Sequence, residues 1–367
     1  MDLELSDEQT WLSEAVGTLL DREWRPAPEA PSGTADARDT LWRRLTDFGA
    51  LAVGADDGLG PVELCVIARA LGEHLAPVPY LASAAVRYAV TSSGLPELYG
   101  GEDAVALAIL EPGSGWAAAP RTTLEDAALS GRKVAVEHLT AAGRIAVVAA
   151  APDGPALAVV AQPAAGLSAA EQAAFDPTAP MHAVDLAAVA VGEGDVVTGA
   201  GAAHAIARLT AIGALLAAAE AVGAAGRLLD DAVRYAGERR QFGRPIGSFQ
   251  ALRHLLADMY VRHASSWSSV LYAAAALDED AAEAARTTAI AKAYVGRAAR
   301  EVAHGAMQVF GGIAFTQEHP AHRFLRRIVV RERQFGDAAH HERALGRELA
   351  ARAAAPRRNV PSPAPVA

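Results

Sequence analysis

One cysteine, Cys65, stands among the 367 residues. That excludes an intramolecular disulfide and fits a reducing compartment. A basic excess is also missing: 33 Lys and Arg stand against 43 Asp and Glu, for a formal charge of −10. Nucleic acid and anionic membranes are held through surplus Lys and Arg, so neither is an expected partner. The longest apolar runs are interrupted, as Glu220 interrupts GALLAAAEAVGAAG, and the opening MDLELSDEQ is acidic where a secretory leader is basic. No internal repeat is present. A cytoplasmic protein with small-molecule ligands is the expectation.

Hydrophobic residues make up 51% of the chain, enough for two or three packed units. Residues 1–104 read as helices joined by short polar turns. Ser6 followed three positions later by Gln9 marks a helix start, and PVELCVIARALGEHL is an amphipathic helix. Over 105–198 the texture changes to short runs such as AVALAIL, RKVAV and GRIAVVAA, separated by Gly, Pro and Asp at strand-like intervals. From 199 to 355 the pattern is helical again, with Leu252, Leu255, Leu256 and Met259 at three and four spacing. The proline-rich end, 356–367, predicts a disordered tail. Helices, then strands, then longer helices give an α+β fold with an N-terminal helical domain, a central β domain and a C-terminal helical bundle.

Two segments are more specific than composition: YAGERRQFGRPIGSFQALRHLLADM (235–259) and QVFGGIAFTQEHPAHRFLRR (308–327). In the first, Arg239 falls near a helix end, and Phe242 and Gly243 fall in the turn before the next helix, with Pro245 discouraging continuation. A guanidinium there forks onto phosphate oxygens or makes an interhelix salt bridge. In the second, Gln308 can bond an amide or ribose edge. Gly311 and Gly312 let a backbone approach a pyrophosphate, or simply end a helix.

Taken as blocks, the two segments resemble the signature segments of the acyl-CoA dehydrogenase family, and the order and sizes of the three domains match it along almost the whole chain. The resemblance implies a C-terminal four-helix bundle, FAD as cofactor, an acyl-CoA thioester as substrate, α,β-dehydrogenation, and transfer of electrons to an electron-transferring flavoprotein. It assigns Arg239, Phe242, Gln308, Gly311 and Gly312 to the FAD of a neighbouring subunit.

Two departures qualify it. Aligned through FLRR and Arg343, the stretch Phe335-Gly336-Asp337-Ala338 lies where the family has an aromatic, the glutamate base, a glycine and a threonine, so the base position is Gly336. An alternative base position on the first long bundle helix falls at Gly213, and Glu220 lies seven residues further, about 10 Å along a helix. In the β domain, EPGSG (111–115) resembles a loop that lies against flavin and substrate, but Ala135, Val136 and Glu137 stand where the family has a run touching the flavin ring. An alanine cannot cover a ring face, and a carboxylate there would repel an anionic reduced flavin. The favoured expectation is a catalytically silent subunit that completes a homologous, glutamate-bearing partner in a heterotetramer, as in enzymes of fatty acid or sterol side-chain β-oxidation. The alternative is a self-sufficient enzyme with Asp337 as displaced base, although Asp337 also reads as the cap of the helix that follows. A metal-carboxylate bundle, suggested by EVAH (301–304) and DAAH (337–340), is the least favoured: His340 and His341 point about 100° apart on a helix, and no metal is expected.

Overall fold

The computed structural model describes residues 4–25, 33–53, 58–99, 103–116, 118–279 and 282–354. The tail expected to be disordered, 356–367, lies outside them. Helix α1 (Asp7–Glu23) opens on a reciprocal cap in which the Ser6 hydroxyl accepts from the Gln9 amide at 3.2 Å and the Gln9 side chain accepts from the Ser6 amide at 3.0 Å. Two orphan donors of the first turn are thereby satisfied. Helices α2 (Ala35–Asp47), α3 (Pro61–His74) and α4 (Tyr80–Ser92) follow.

Strands begin at Val105: β1 (Val105–Ala108), β2 (Thr123–Glu125), β3 (Ala128–Glu137), β4 (Arg144–Ala151), β5 (Gly154–Ala161), β6 (Leu167–Gln172), β7 (Met181–Ala190) and β8 (Val196–Thr198). They form one sheet in the order β6-β7-β3-β2-β4-β5-β8, with β1 added in parallel to β4. The period-two alternation of strand side chains divides β4 and β5 between two cores. Ala146, Val148, Leu157 and Val159 join the helical core, while Ile145, Val147, Ala149, Ala156, Ala158 and Val160 line a separate core within the sheet. Both faces are covered, which is why GRIAVVAA is apolar throughout instead of alternating.

Helix α5 (Gly199–Glu238) starts where the sheet ends, and at 40 residues it spans about 60 Å. A two-residue hairpin, β9 (Arg240–Gln241) and β10 (Arg244–Pro245), leads to α6 (Gln250–Asp278), α7 (Ala284–Phe310), α8 (Ala321–Arg333) and α9 (Ala338–Ala354). Helices α5 to α8 make a four-helix bundle and α9 packs on α7. By length and composition α5 could cross a membrane, but 72% of its most apolar stretch is buried inside the protein. It is the axis on which α3, α4, α6, α7, α8 and strand β5 pack.

The crossing of α3 and α5 has no space for side chains. A Cβ at Gly72 would collide with the Glu220 carbonyl, and one at Gly223 with the Arg69 carbonyl and the Glu73 amide. These are backbone atoms in packed helices, so they cannot give way as a flexible side chain would. Gly223→Ala is therefore expected to destabilise the fold by roughly 1–3 kcal/mol through overpacking, despite the better helix propensity of alanine. Urea denaturation measures it, and an unchanged or raised midpoint would refute the close crossing.

Candidate active site

Two places collect the residues singled out in the sequence. The first is the end of the bundle where α5 and α7 terminate together, joined by Tyr235 and Phe310, whose rings meet edge to face at 5.5 Å. Arg239 caps α5, its amide donating to the Tyr235 carbonyl at 2.8 Å, and its exposed guanidinium makes no ion pair among the described residues. Phe242 sits at the hairpin tip with φ 52° and is 91% exposed. Beside it, Arg244 lies over the Phe249 ring at 4.1 Å. Gln308 is exposed on the last turn of α7, and Gly311 ends that helix at a positive φ of 68° that glycine adopts without strain. Exposed Gly312, Ile313 and Phe315 continue the surface. A guanidinium, two aromatic rings, an amide and a bare backbone thus face outward together.

The second place is the seam between sheet and bundle, and it is closed. Phe335 and Gly336 form the turn between α8 and α9 with φ 56° and 98°. The Phe335 ring points inward onto Gly213, where a Cβ would lie within 2.9 Å of three ring atoms. Trp116, from the loop after β1, stacks on it at 4.8 Å with 28° between the planes. Leu81, Leu107, Ile109, Val134, Gln334 and the two rings surround a cavity of about 30 Å³, room for one or two waters. The Ala135 amide, φ 54°, is taken by the Gln172 side chain at 2.8 Å. A Cβ at Gly336 would lie within 3.0 Å of the His340 and His341 rings. Neither base position, 336 or 213, has space for a carboxylate side chain without rearrangement.

Glu137 lies at the polar side of this cavity, and its role differs from the sequence expectation. It is not a lone carboxylate beside a ligand space. Arg331 donates to both of its oxygens at 2.9 Å and Gln334 donates at 2.7 Å. Arg331 also donates to Glu220 at 2.8 Å, and Arg327 pairs with Glu220, Asp176 and the Thr178 hydroxyl. Burial alone would raise the Glu137 carboxyl, but Arg331 and His138 hold it down at about 2. Burial holds His138 neutral, pushed down to about 4, with its Nε2 3.6 Å from Glu137. Glu220 is thus committed to two arginines. It could not be placed from the sequence because its partners are 107 and 111 residues away. Trp116 was missed although it directly follows EPGSG, and Asp176 carried no local signal.

Asp337 is exposed, and its carboxylate accepts from the His340 amide at 2.8 Å at the start of α9. That is the geometry of an N-cap. His341 is buried, its Nε2 donating to the Phe335 carbonyl at 3.0 Å. Among the described residues no three His, Cys, Asp or Glu side chains gather as a metal would require.

Residues 199–350 match the family model described as "Acyl-CoA dehydrogenase, C-terminal domain". The acyl-CoA dehydrogenase IpdE2 of Mycobacterium tuberculosis is 31% identical over 335 residues, covering 88% of this chain and 91% of that one. The chain belongs to the acyl-CoA dehydrogenase family. Two solved structures of this kind are similar over 95% of the chain and 99% of theirs at 28% identity: the ChsE4-ChsE5 complex from Mycobacterium tuberculosis, with a TM-score of 0.83, and a variant of the Tcur3481-Tcur3483 steroid ACAD, with 0.82. In this acyl-CoA dehydrogenase the closed seam does not fit a flavin ring, because rings and a bonded amide already occupy it. The exposed end, with the Arg239 guanidinium beside bare backbone, fits the phosphate portion of a dinucleotide.

Two outcomes follow. Asp337→Ala should cost about 1 kcal/mol in urea denaturation and Asp337→Asn almost nothing, since Asn caps comparably. A selective loss of α-proton exchange in a stably folded Asn variant would instead make Asp337 a base. The buried His138 and His341 and the half-buried His263 sit at about 4 in the fold against 6.5 unfolded. Below pH 6.5 the unfolded chain therefore takes up protons the fold refuses. Stability should fall as pH drops from 6.5 to 4. A urea midpoint that stays flat across that window would refute their neutral burial.

Proposed function

We propose that this chain is the non-catalytic subunit of a heteromeric acyl-CoA dehydrogenase, completing the flavin site of a homologous, glutamate-bearing partner. One observation carries the reading: neither candidate base position has room for a side chain, since a Cβ at Gly213 would meet the inward Phe335 ring and one at Gly336 the His340 and His341 rings. Meanwhile Arg239, Phe242, Gln308, Gly311 and Gly312 remain at an open end that only a neighbour can meet. Similarity to the ChsE4-ChsE5 complex supports a paired subunit, and similarity to a steroid ACAD supports a sterol side-chain CoA thioester as substrate.

In this reading FAD, when bound at the shared site, supplies the hydride acceptor for α,β-dehydrogenation, and an electron-transferring flavoprotein receives the electrons. The chain's own residues bind and orient. Arg239 forks onto phosphate oxygens, Gly311 and Gly312 allow close backbone approach, Gln308 supplies an amide hydrogen bond, and Phe242 becomes buried. The α-proton goes to the partner's acid. The assembly works in the cytoplasm. The alternative, a self-sufficient enzyme using Asp337, is less well supported because that carboxylate lies on the surface and caps α9.

The chain made alone should purify without flavin absorbance and acquire it only when co-expressed with a glutamate-bearing homologue. A stoichiometric yellow homo-oligomer would end this reading. In the assembled complex, Arg239→Ala should weaken FAD binding about tenfold to a hundredfold, the equivalent of a charge-assisted contact of roughly 1.5–3 kcal/mol. Arg239→Lys should recover only part of it, since an ammonium cannot fork. Flavin fluorescence titration of the apo-complex is the measurement, and unchanged affinity in an intact complex would make Arg239 structural.

A further inference from the structure

We infer that Trp116 and Phe335 form an internal aromatic plug, filling a planar-ligand slot that would otherwise open at the seam between sheet and bundle. The inference rests on the non-catalytic reading and adds why the chain's own site stays empty of flavin. The two rings come from opposite sides: Trp116 from a loop of the β domain, Phe335 from the α8–α9 turn of the bundle. Their stacking at 4.8 Å leaves about 30 Å³, an order of magnitude below the roughly 300 Å³ at which ligand pockets begin.

Phe335 is the fixed half. It is a buried non-glycine residue at φ 56°, an uncommon conformation that its surroundings hold in place. Here the His341 ring holds its carbonyl, Gly213 gives its ring a seat, and Lys292 closes the end of α8 by donating at 2.8 Å to the Arg331 and Glu332 carbonyls. Trp116 is the less enclosed half. It is partly exposed, and its loop contains Gly113 and Gly115, around which a Cβ would meet nothing within 4 Å. The lining of Leu81, Leu107, Ile109 and Val134 is apolar and Glu137 and Gln334 stand at one side, so a slot opened by withdrawing the rings would accept a flat, uncharged ring system with one polar edge. Ordinary interdomain packing predicts no such slot.

The test uses the full chain and lumiflavin, a bare isoalloxazine without phosphates, so that Arg239 plays no part. Wild type should leave lumiflavin fluorescence unquenched, and Trp116→Ala/Phe335→Ala should bind it at least about tenfold more tightly than wild type. A double variant that is folded by circular dichroism yet binds no better than wild type overturns the plug. Should that variant not fold, Gly213→Ala decides through its clash with the Phe335 ring. The plug requires its melting temperature to fall and Phe335→Ala added to Gly213→Ala to restore part of the loss, and the absence of either effect overturns it. The two readings fail separately. Flavin bound stoichiometrically by wild type alone removes the non-catalytic reading and the plug with it, whereas a flavin-free wild type with inert variants removes only the plug.

Discussion

Five charges, four buried and one nearly so, hold this molecule's parts in register. Arg327 and Arg331, one helical turn apart on α8, reach across to Glu220 on α5, Glu137 at the end of β3 and Asp176 in the β6–β7 loop. Taking such groups out of water costs several kcal/mol each, and the attraction between them offsets that only when the remaining donors and acceptors are also matched. They are: Arg331 forks onto both Glu137 oxygens, Gln334 and Thr178 bond the flanks, and Asp176 accepts from the Thr178 amide and hydroxyl. Three carboxylates against two guanidiniums leave the cluster one negative charge in excess, and His138 stays neutral because burial, helped by Arg331 and Arg327, outweighs the pull of Glu137. A cluster of this kind tolerates little sliding. A shift of the sheet relative to the bundle would strand a charge without its partner, which costs far more than any surface contact could return. The seam in which Phe335 and Trp116 meet is defined by that constraint.

The fold was legible in the sequence wherever it depends on local pattern. The Ser6–Gln9 box, the strand texture from Val105 and the three-and-four spacing of the bundle helices are each encoded within a few residues. The outward-facing motif was legible for the same reason: ERRQFG and QVFGG are contiguous, and the helix ends that carry them are set by their own Pro and Gly. The seam was not. Glu137 reads as a misplaced charge until Arg331, 194 residues later, supplies its counter-ion. Gly213 reads as a vacant base position, yet its lack of a side chain is what seats Phe335. Trp116 directly follows EPGSG, a loop the sequence did single out, but nothing near it in the chain announces the ring it stacks upon. Pairings at such separations belong to tertiary structure, and period and propensity contain no record of them.

The closed interior and the open end are two sides of one physical problem. A seam shaped to receive a planar ligand must stay hollow in its absence, and an empty apolar space of that size destabilises the surrounding core in proportion to its volume. Rings from Trp116 and Phe335, with the Glu137 oxygens bonded from the bundle, remove that penalty and leave a chain whose packing needs no ligand. The bundle end faces the opposite condition. A phenylalanine 91% exposed at a hairpin tip and a guanidinium without an ion pair among the described residues contribute little to the folded monomer. They are also what association with a second surface would bury and neutralise. Stability has been concentrated where the chain is alone, and unsatisfied chemistry is left where a neighbour can reach it. That distribution suits a subunit whose contribution lies at its edge and not in its own cavity.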